Sequence, residues 1–397
     1  MTGPVASGVV HRAAREAVID LDAVMANVGS LREHARGAAV MAVVKADAYG
    51  HGLAPVARAA RAGGAGWLGV ALLDEALALR AAGDTGPVLA WLLGPGADWA
   101  GAIRADVDVS VSAEWALAEV VAAARDLGLP ARVHLKVDTG LGRAGATLDT
   151  WPRLVEVAAT AQAEGAVQVV GVWSHLAYAD TPEHPTVGAQ AAAFADALRL
   201  AAQAGVRPHV RHLANSAATL LLPGLHYDLV RPGLAVYGLS PVPDRADPDR
   251  YGLRPAMTLS ARLVLTKRVA AGSGVSYGHA YRTAGETTLG VVPLGYADGL
   301  PRHASNTGPM LVAGRRHTVA GRVCMDQVVV DLGDDPAEAG DEVVLFGPGD
   351  RGEPSAQDWA EAAGTISYEI VARLGPRVPR RYLGGPLEQE RDQEGDR

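Results

Sequence analysis

The 397-residue sequence predicts an α/β plus β protein: an eight-stranded parallel (β/α)8 barrel of the TIM type, followed by a mainly β C-terminal domain. Three observations carry that prediction. Short, β-prone apolar runs alternate with helical ones about eight times between residues 39 and 230, the signature of parallel strands joined by crossover helices. Open doubly wound sheets share the alternation, but this stretch has no glycine-rich dinucleotide fingerprint, and about eight units favour closure into a barrel. After a linker at 241–254, rich in proline and charge, β-prone runs follow one another without alternating helices.

Taken in order, residues 17–27 (AVIDLDAVMAN) read as a short apolar strand and a helix capped by Asp20 or Asp22. Barrel strands are expected at 40–44, 67–70, 88–92, 107–111, 133–137, 167–173, 210–213 and 228–230. One intervening helix shows the pattern clearly: Ser112 as N-cap, Leu117, Val120, Val121, Ala124 and Leu127 on one face, and Gly128 at its end. In RVHLKVDTG, alternation turns Val133, Leu135 and Val137 toward the surrounding helices and sends His134, Lys136 and Asp138 into the barrel. Past the linker, strands are expected at 258–269, 288–293, 310–312, 318–330 and 342–346, with a hairpin turn at 313–316. These runs divide the chain into a lead segment 1–16, a barrel 17–250, a β domain 251–386 and an acidic tail 387–397, expected to be disordered because it is charged and almost free of apolar groups.

Composition narrows the function classes. At 49% hydrophobic the chain can bury a large core, and a net charge of -8 argues against a nucleic-acid partner. Cys324 is the single cysteine, so no intramolecular disulfide can form. Residues 1–15 lack a long apolar run, and no stretch is long enough to span a bilayer. Neither export nor a membrane partner is expected, a reducing cytoplasm fits, and no metal ligand set is assigned.

The chain is organised around Lys45 in MAVVKADAYGHG (41–52). Met41, Val43 and Lys45 share one side of a strand, and Lys45 stands at its carboxyl end, before a small, flexible loop and a helix that Pro55 helps to start. A lone lysine is usually solvated. One walled by apolar neighbours at a strand exit loses its charge more readily, which suits Schiff-base chemistry. Unusual polar groups recur where the other strands end: Lys136 and Asp138, His175, Asn215 and Ser216, and Arg231. Barrel enzymes place their chemistry at that rim. HLANSAA sets Asn215 and Ser216 at a helix amino terminus, where free backbone N–H groups favour a phosphate. In DLVRPGLAVYG, Pro232 and Gly233 stop the strand after Arg231 and leave room for a close-approaching group.

VVKADAYGHG resembles the pyridoxal-phosphate lysine motif of alanine racemases, with Lys45 in the place of the cofactor-bearing lysine and Tyr49 in that of a phosphate ligand. HLKVDTGLGRAG, VWSHLAYAD, HLANSAA, DLVRPGLAVYG, GVSYGHAY, LGYADGLPR, GRVCMDQ and ISYEI resemble further motifs of that family, in family order from residue 18 to about 383. The resemblance implies pyridoxal 5'-phosphate as cofactor and L- and D-alanine as substrates. It gives Arg143 the cofactor's phenolic oxygen and the substrate carboxylate. Lys136 matches a lysine carbamylated in many relatives, and such a carbamate would relieve a like-charge conflict with Arg143. His175 matches a histidine linking the catalytic tyrosine to an arginine, Asp180 an acidic residue on the substrate's approach, and Ser216 a phosphate ligand beside Asn215 and Gly233. Arg231 matches the residue facing the pyridine nitrogen. An arginine there cannot accept a hydrogen bond and keeps that nitrogen unprotonated, which weakens the ring as an electron sink and favours racemisation over side reactions. Tyr277 matches the second base, Met325 a backbone contact to the substrate carboxylate, and Tyr296 and Tyr368 tyrosines near the entry gate, Tyr368 also touching phosphate. Arg302, Arg322 and Ile366 match positions along the entry corridor.

The expected reaction is therefore a two-base interconversion of L- and D-alanine, with Lys45 on the D-specific face and Tyr277 on the L-specific face, supplying D-alanine for peptidoglycan. In the family the tyrosine comes from the partner chain, so a homodimer with shared active sites is implied. Two alternatives stand beside this. A decarboxylase of the same barrel type is opposed by Arg231 where a carboxylate would be expected. A non-catalytic pyridoxal-phosphate carrier is opposed by GVSYGHAY, since single-barrel versions lack a β domain.

Overall fold

A computed structural model describes residues 13–386. The first twelve residues of the expected lead segment and the expected tail at 387–397 lie outside the described residues. The chain divides into two compact units: one joins Asp20–Ala256 to the segment from Tyr382 onward, and the other joins the segment up to Ile19 to Met257–Arg381.

In the first unit, strands β2 (Ala39–Val43), β3 (Trp67–Val70), β4 (Val88–Ala90), β5 (Asp108–Val111), β6 (Ala131–Lys136), β7 (Val167–Trp173), β8 (Val210–His212) and β9 (Leu229–Val230) follow β1 (Arg15–Asp20) in the sequence. They form one parallel sheet in the order β8-β7-β6-β5-β4-β3-β2-β9, a succession of neighbours that wraps the chain order onto itself. Its two ends meet through backbone bonds from Asp228 N to Arg211 O (3.1 Å) and from Arg231 N to Ala214 O (2.9 Å). The strands are buried on both faces, as parallel strands covered by helices must be. One interior layer packs Met41, Leu89 and Leu229 against Trp67, Trp91 and Val210.

The helices follow the expected pattern with instructive exceptions. Asp20 caps the helix Leu21–His34 by accepting from Ala23 N at 2.9 Å, whereas Asp22 accepts from Gly385 N. Ser112 does not cap the next predicted helix. That helix runs Glu114–Leu127 from Ala113 without a side-chain cap, buries Ala116, Leu117, Val120 and Ala124, and leaves Val121 and Leu127 only partly covered; Gly128 closes it at φ 64.

In the second unit, β1 lies between β10 (Met257–Arg262) and β19 (Arg380–Leu383) in a sheet of order β16-β15-β18-β10-β1-β19. Here β15 is Pro309–Val312, β16 is Arg315–Thr318 and β18 is Glu342–Phe346. A second sheet joins β11 (Leu265–Val269), β14 (Thr287–Val292) and β17 (Val328–Gly333), and β12 (Gly274–Val275) pairs with β13 (Tyr281–Arg282). Ala313 and Gly314, both at positive φ, make the two-residue turn of the β15–β16 hairpin.

The structure thus differs from the domain limits read in the sequence. The strand expected to open a barrel domain at residue 17 pairs antiparallel with β10. Its burial alternates along the strand, as an antiparallel strand with one covered face requires. The run expected as one strand at 318–330 is strand only at its two ends, with Val319 in an isolated bridge to Val330 and 320–327 outside any strand. Helices Ala356–Ala363 and Ser367–Ala372 lie between β18 and β19 in the sequence.

Candidate active site

Lys45 leaves β2 into a turn that no residue type in it advertises. Ala46, Asp47, Ala48 and Tyr49 all sit in the left-handed region, at φ 54, 52, 53 and 53. Each such residue costs an L-amino acid about 1–2 kcal/mol, so the surroundings must hold the turn. Glu75 accepts from Ala46 N at 2.6 Å, Asp47 accepts from Leu53 N at 2.7 Å, and Ala48 N bonds to Val44 O at 2.9 Å. The turn buries the ring of Tyr49 against Tyr237, centroids 4.8 Å apart. Strain concentrated beside one lysine is a mark of a functional site.

Lys45 Nζ stands 5.9 Å from the ring centres of both Tyr49 and Trp91. Burial holds its amine below the ordinary lysine value, the Arg143 charge adds to the depression, and Glu75 opposes it. Lys136, buried at the end of β6, lies 4.2 Å from the ring centre of Trp173. Burial, then Arg231 and Arg143, pull it down to about 8. Asp138 accepts from the backbone N–H groups of Gly140, Leu141 and Gly142, at 2.9–3.0 Å for each nearest contact, and so ties down the loop that carries the exposed Arg143.

Arg231 is buried. Its guanidinium donates to Ser174 O (2.8 Å), Leu213 O (3.3 Å), His175 Nδ1 (3.2 Å) and His212 Nδ1 (3.1 Å). Burial pulls it down to about 9, which leaves it cationic at neutral pH. His175 lies well below the usual imidazole value, through burial first and then the charges of Arg231 and Arg143. A neutral His175 accepting at Nδ1 carries its proton on Nε2.

Asn215 caps the short helix Ser216–Leu221 through Ala218 N at 3.0 Å. The Ser216 hydroxyl accepts from Gly233 N at 2.8 Å. A Cβ added to Gly233 would come within 2.3 Å of the Tyr49 hydroxyl. Tyr49, Ser216 and Gly233 thus meet in one cradle that admits no larger residue at 233. Asp180 lies exposed in the segment before the helix Pro185–Gln203. The structure therefore gathers Lys45, Lys136, Arg143, His175 and Arg231 into one field of mutual charge, with the cradle beside Lys45.

The β-unit residues form a second cluster. Tyr277 opens a one-turn helix and is 70% exposed. The preceding Ser276 hydroxyl donates to Arg322 O at 2.9 Å and lies 3.2 Å from Cys324 Sγ. Tyr296 N bonds to Cys324 O, and Ala297 N to Met325 O, each at 3.0 Å. The Ser305 hydroxyl donates to Arg302 O at 2.7 Å and accepts from Val323 N. Arg377 binds Asp326 at 2.7 Å and reaches the buried Asp298 at 3.2 Å, fastening the segment after Ile366 and Tyr368 to the same loops. Tyr296, Arg302, Arg322 and Met325 are thus carried on segments tied to one another, with Tyr277 beside Ser276 and Tyr368 in the helix just after Ile366.

A model of the alanine racemase N-terminal domain matches residues 19–241, and one of the alanine racemase C-terminal domain matches 256–382. The chain belongs to the alanine racemase family. It is 64% identical over 367 residues to an alanine racemase of Frankia casuarinae, covering 92% of this chain and 96% of that one, and 61% identical over 372 residues to one of Streptomyces coelicolor, covering 92% and 95%. The crystal structure of alanine racemase from D-cycloserine-producing Streptomyces lavendulae superposes with a TM-score of 0.94 at 60% identity, over 95% of this chain and 99% of that chain. An alanine racemase of Bacillus anthracis with bound L-Ala-P superposes at 0.85 with 36% identity, over 94% and 96%. The barrel and the β domain are therefore those of alanine racemases.

Reading motifs one at a time missed three parts of the site. The left-handed turn after Lys45 has no glycine until Gly50 to announce it. Glu75, which anchors that turn, sits 29 residues from its partner. His212 was passed over although it stands in the same HLANSAA run as Ser216, at the end of β8.

Proposed function

We propose that this chain interconverts L- and D-alanine with pyridoxal 5'-phosphate held at the carboxyl rim of the barrel, in a cytoplasmic homodimer. The observation that carries the reading is the charge of that rim. Lys45, Lys136, Arg143 and Arg231 act on one another as like charges, opposed by Glu75 and by Asp138, whose carboxylate is taken up by its own loop. Such a field suits a ligand with several negative charges. The cradle of Tyr49, Ser216 and Gly233 suits a phosphate, Arg143 a phenolic oxygen and Arg231 an aromatic nitrogen that only accepts. Asn215 and Tyr368 would complete the cofactor's surroundings.

When bound, the cofactor would link to the lysine amine and withdraw electrons from alanine's α-carbon, making its proton removable. Lys45, whose amine is already depressed, takes and returns that proton on the D-specific face. Tyr277 of a second copy does so on the L-specific face; its 70% exposure in this chain fits a residue given to a partner. His175, with Nδ1 engaged by Arg231, offers its Nε2 proton to the phenolate form of that tyrosine. Arg143 and the Met325 backbone hold the carboxylate. Arg231 donates and cannot accept, so it leaves the ring nitrogen bare. Lys136 at about 8 keeps a neutral fraction near physiological pH, the form that adds carbon dioxide to give a carbamate beside Arg143. Asp180, Tyr296, Arg302, Arg322 and Ile366 line the substrate's approach. D-alanine made this way serves peptidoglycan synthesis. Among the described residues no helix is long and apolar enough to cross a membrane.

The test is purified protein given pyridoxal 5'-phosphate and either enantiomer of alanine in deuterium oxide. A yellow protein that exchanges the α-proton of both and converges on a racemic mixture is the expected result. Carbon dioxide release, or a yellow protein without exchange, overturns it.

A further inference from the structure

Among the described residues Arg231 has no carboxylate as a hydrogen-bond partner, yet it is buried. Behind it runs a row of buried polar side chains. His212 Nε2 lies 2.8 Å from His134 Nδ1, His134 Nε2 lies 3.0 Å from Asp108 Oδ2, and Arg132 grips Asp108 at 2.5 and 3.2 Å. Asp108, His134 and His212 are each 0% exposed. Asp108 opens β5, at the amino end of its strand, and Arg231 follows β9, at the carboxyl end, so the row runs from one end of the barrel to the other.

The direction of every bond in the row is forced. A guanidinium only donates, so His212 Nδ1 accepts from Arg231 and its proton sits on Nε2. That proton is given to His134 Nδ1, which leaves the His134 proton on Nε2, facing Asp108. Asp108 is the acceptor at the end: burial pushes its carboxyl up, but His134 and Arg132 hold it below its ordinary value. Burial and the Arg231 charge keep His212 neutral. The path is built around the rings. Trp173 stacks on His212 with centroids 5.4 Å apart and planes 11° apart, and Trp67 meets the edge of His134 at 5.4 Å. A Cβ on Gly171 would come within 2.2 Å of His134 Nδ1.

We propose that Asp108, His134 and His212 are positioning residues that hold Arg231 as a charged, donor-only group, through a one-way row of hydrogen bonds ending on a carboxylate at the far end of the barrel. A carboxylate touching Arg231 directly would cancel its charge at the rim. Set two imidazoles away, the anion polarises His212 Nδ1 into a better acceptor for Arg231 and leaves the rim positive. The proposal rests on the reading that Arg231 faces the cofactor's ring nitrogen. If that nitrogen gained a proton, alanine's amino group would more often stay behind on the cofactor while its carbon skeleton leaves as pyruvate.

Protein labelled with nitrogen-15 at histidine, cofactor-free and cofactor-loaded, tests the row directly. His134 and His212 should both carry their proton on Nε2, as the bond directions require. Asp108→Asn keeps the shape and an acceptor but removes the charge. In it the His212 nitrogen resonances should move although that ring does not touch residue 108, and pyruvate released per racemisation turnover should rise about tenfold, the scale at which outer-shell partners act. Gly171→Ala should do the same by parting the two rings with Asp108 intact, and either variant suffices should the other not fold. A proton on Nδ1 of His212 in the unsubstituted protein, or a folded Asp108→Asn with unmoved His212 resonances or an unchanged product ratio, overturns the proposal. If the unsubstituted protein neither binds cofactor nor racemises alanine, the functional reading fails instead, and the cofactor-free tautomers still decide whether the row exists.

Discussion

The barrel rim and the loop cluster of the β unit hold their functional residues by opposite means. At the rim, Lys136 and Arg231 are buried, Lys45 is half-buried, and each is shifted from its ordinary value by burial, with like charge adding to the shift at Lys45 and Lys136. The backbone there is strained, with four consecutive left-handed residues after Lys45. In the β unit, Tyr277, Met325 and Ile366 are 70, 52 and 60% exposed, and backbone bonds between loops set their places. One region is finished within the chain and already poised; the other offers side chains outward, with their chemistry still to be set by what covers them. Desolvation tunes a proton-transfer group, so the two-base reaction proposed above would need a second surface to tune its second base.

The largest effect that would break this contrast is at Lys45. Lys45→Ala should abolish the visible band of bound cofactor and lower racemisation by at least about ten-thousandfold. A band that survives gel filtration and is bleached by borohydride, leaving the cofactor fixed to the chain, would show that another amine does the work. Tyr277→Phe should cost roughly a hundredfold to ten-thousandfold in racemisation, while cofactor binding and the thermal midpoint hold, because the ring is mostly exposed. Solvent deuterium should still enter D-alanine and cease to enter L-alanine; equal loss for both enantiomers contradicts the assignment of faces.

Mixing the two variants sharpens the claim that the exposed cluster belongs to a partner's site. A heterodimer of a Lys45→Ala chain and a Tyr277→Phe chain would contain one intact composite site and one with both lesions, and should regain up to about half of the unsubstituted activity. Verified heterodimers as inactive as their parents would exclude the crossing. Arg231→Glu should lower racemisation by about a hundredfold and raise pyruvate release, since a carboxylate lets the ring nitrogen hold a proton. Normal cofactor binding without any pyruvate would show that the arginine is there for another reason.

The smallest effect is one of stability and pH. Lys136 in the folded chain titrates near 8 against an ordinary 10.5, so folding penalises its charged form. Below about 8 the penalty is complete. Between 8 and 10.5 the unfolded chain holds more protons than the folded one, so stability rises with pH. In cofactor-free protein, Lys136→Met should raise the urea midpoint at neutral pH and flatten that rise. An unaltered pH profile would mean that the rim charges are screened and do not act on one another.

Much of this was legible in sequence because it is local. Strand–helix alternation, the αL stop at Gly128, the Asp20 cap and the Ala313–Gly314 turn each depend on a few neighbouring residues. Lys45, Lys136, His175, Ser216 and Arg231 were found because strand ends in a barrel converge on one rim. Ser112 misled for the converse reason: a capping residue type is common, and whether it caps depends on where the helix begins. The loop 320–327 misled because the apolar, β-prone Val323 there is buried without being strand, and Val319 makes only an isolated bridge to Val330.

By itself, the sequence determined the class of fold and the family, since apolar periodicity and motif order survive without coordinates. Only the tertiary structure decided that β1 pairs with β10, that four non-glycine residues after Lys45 are left-handed, and that Asp108 is joined to Arg231 through two histidines. The physical reason is range. His134 and His212 stand 78 residues apart and Ala46 and Glu75 stand 29 apart. Such pairs are chosen by strand order and closure of the barrel, and no window of neighbouring side chains contains them.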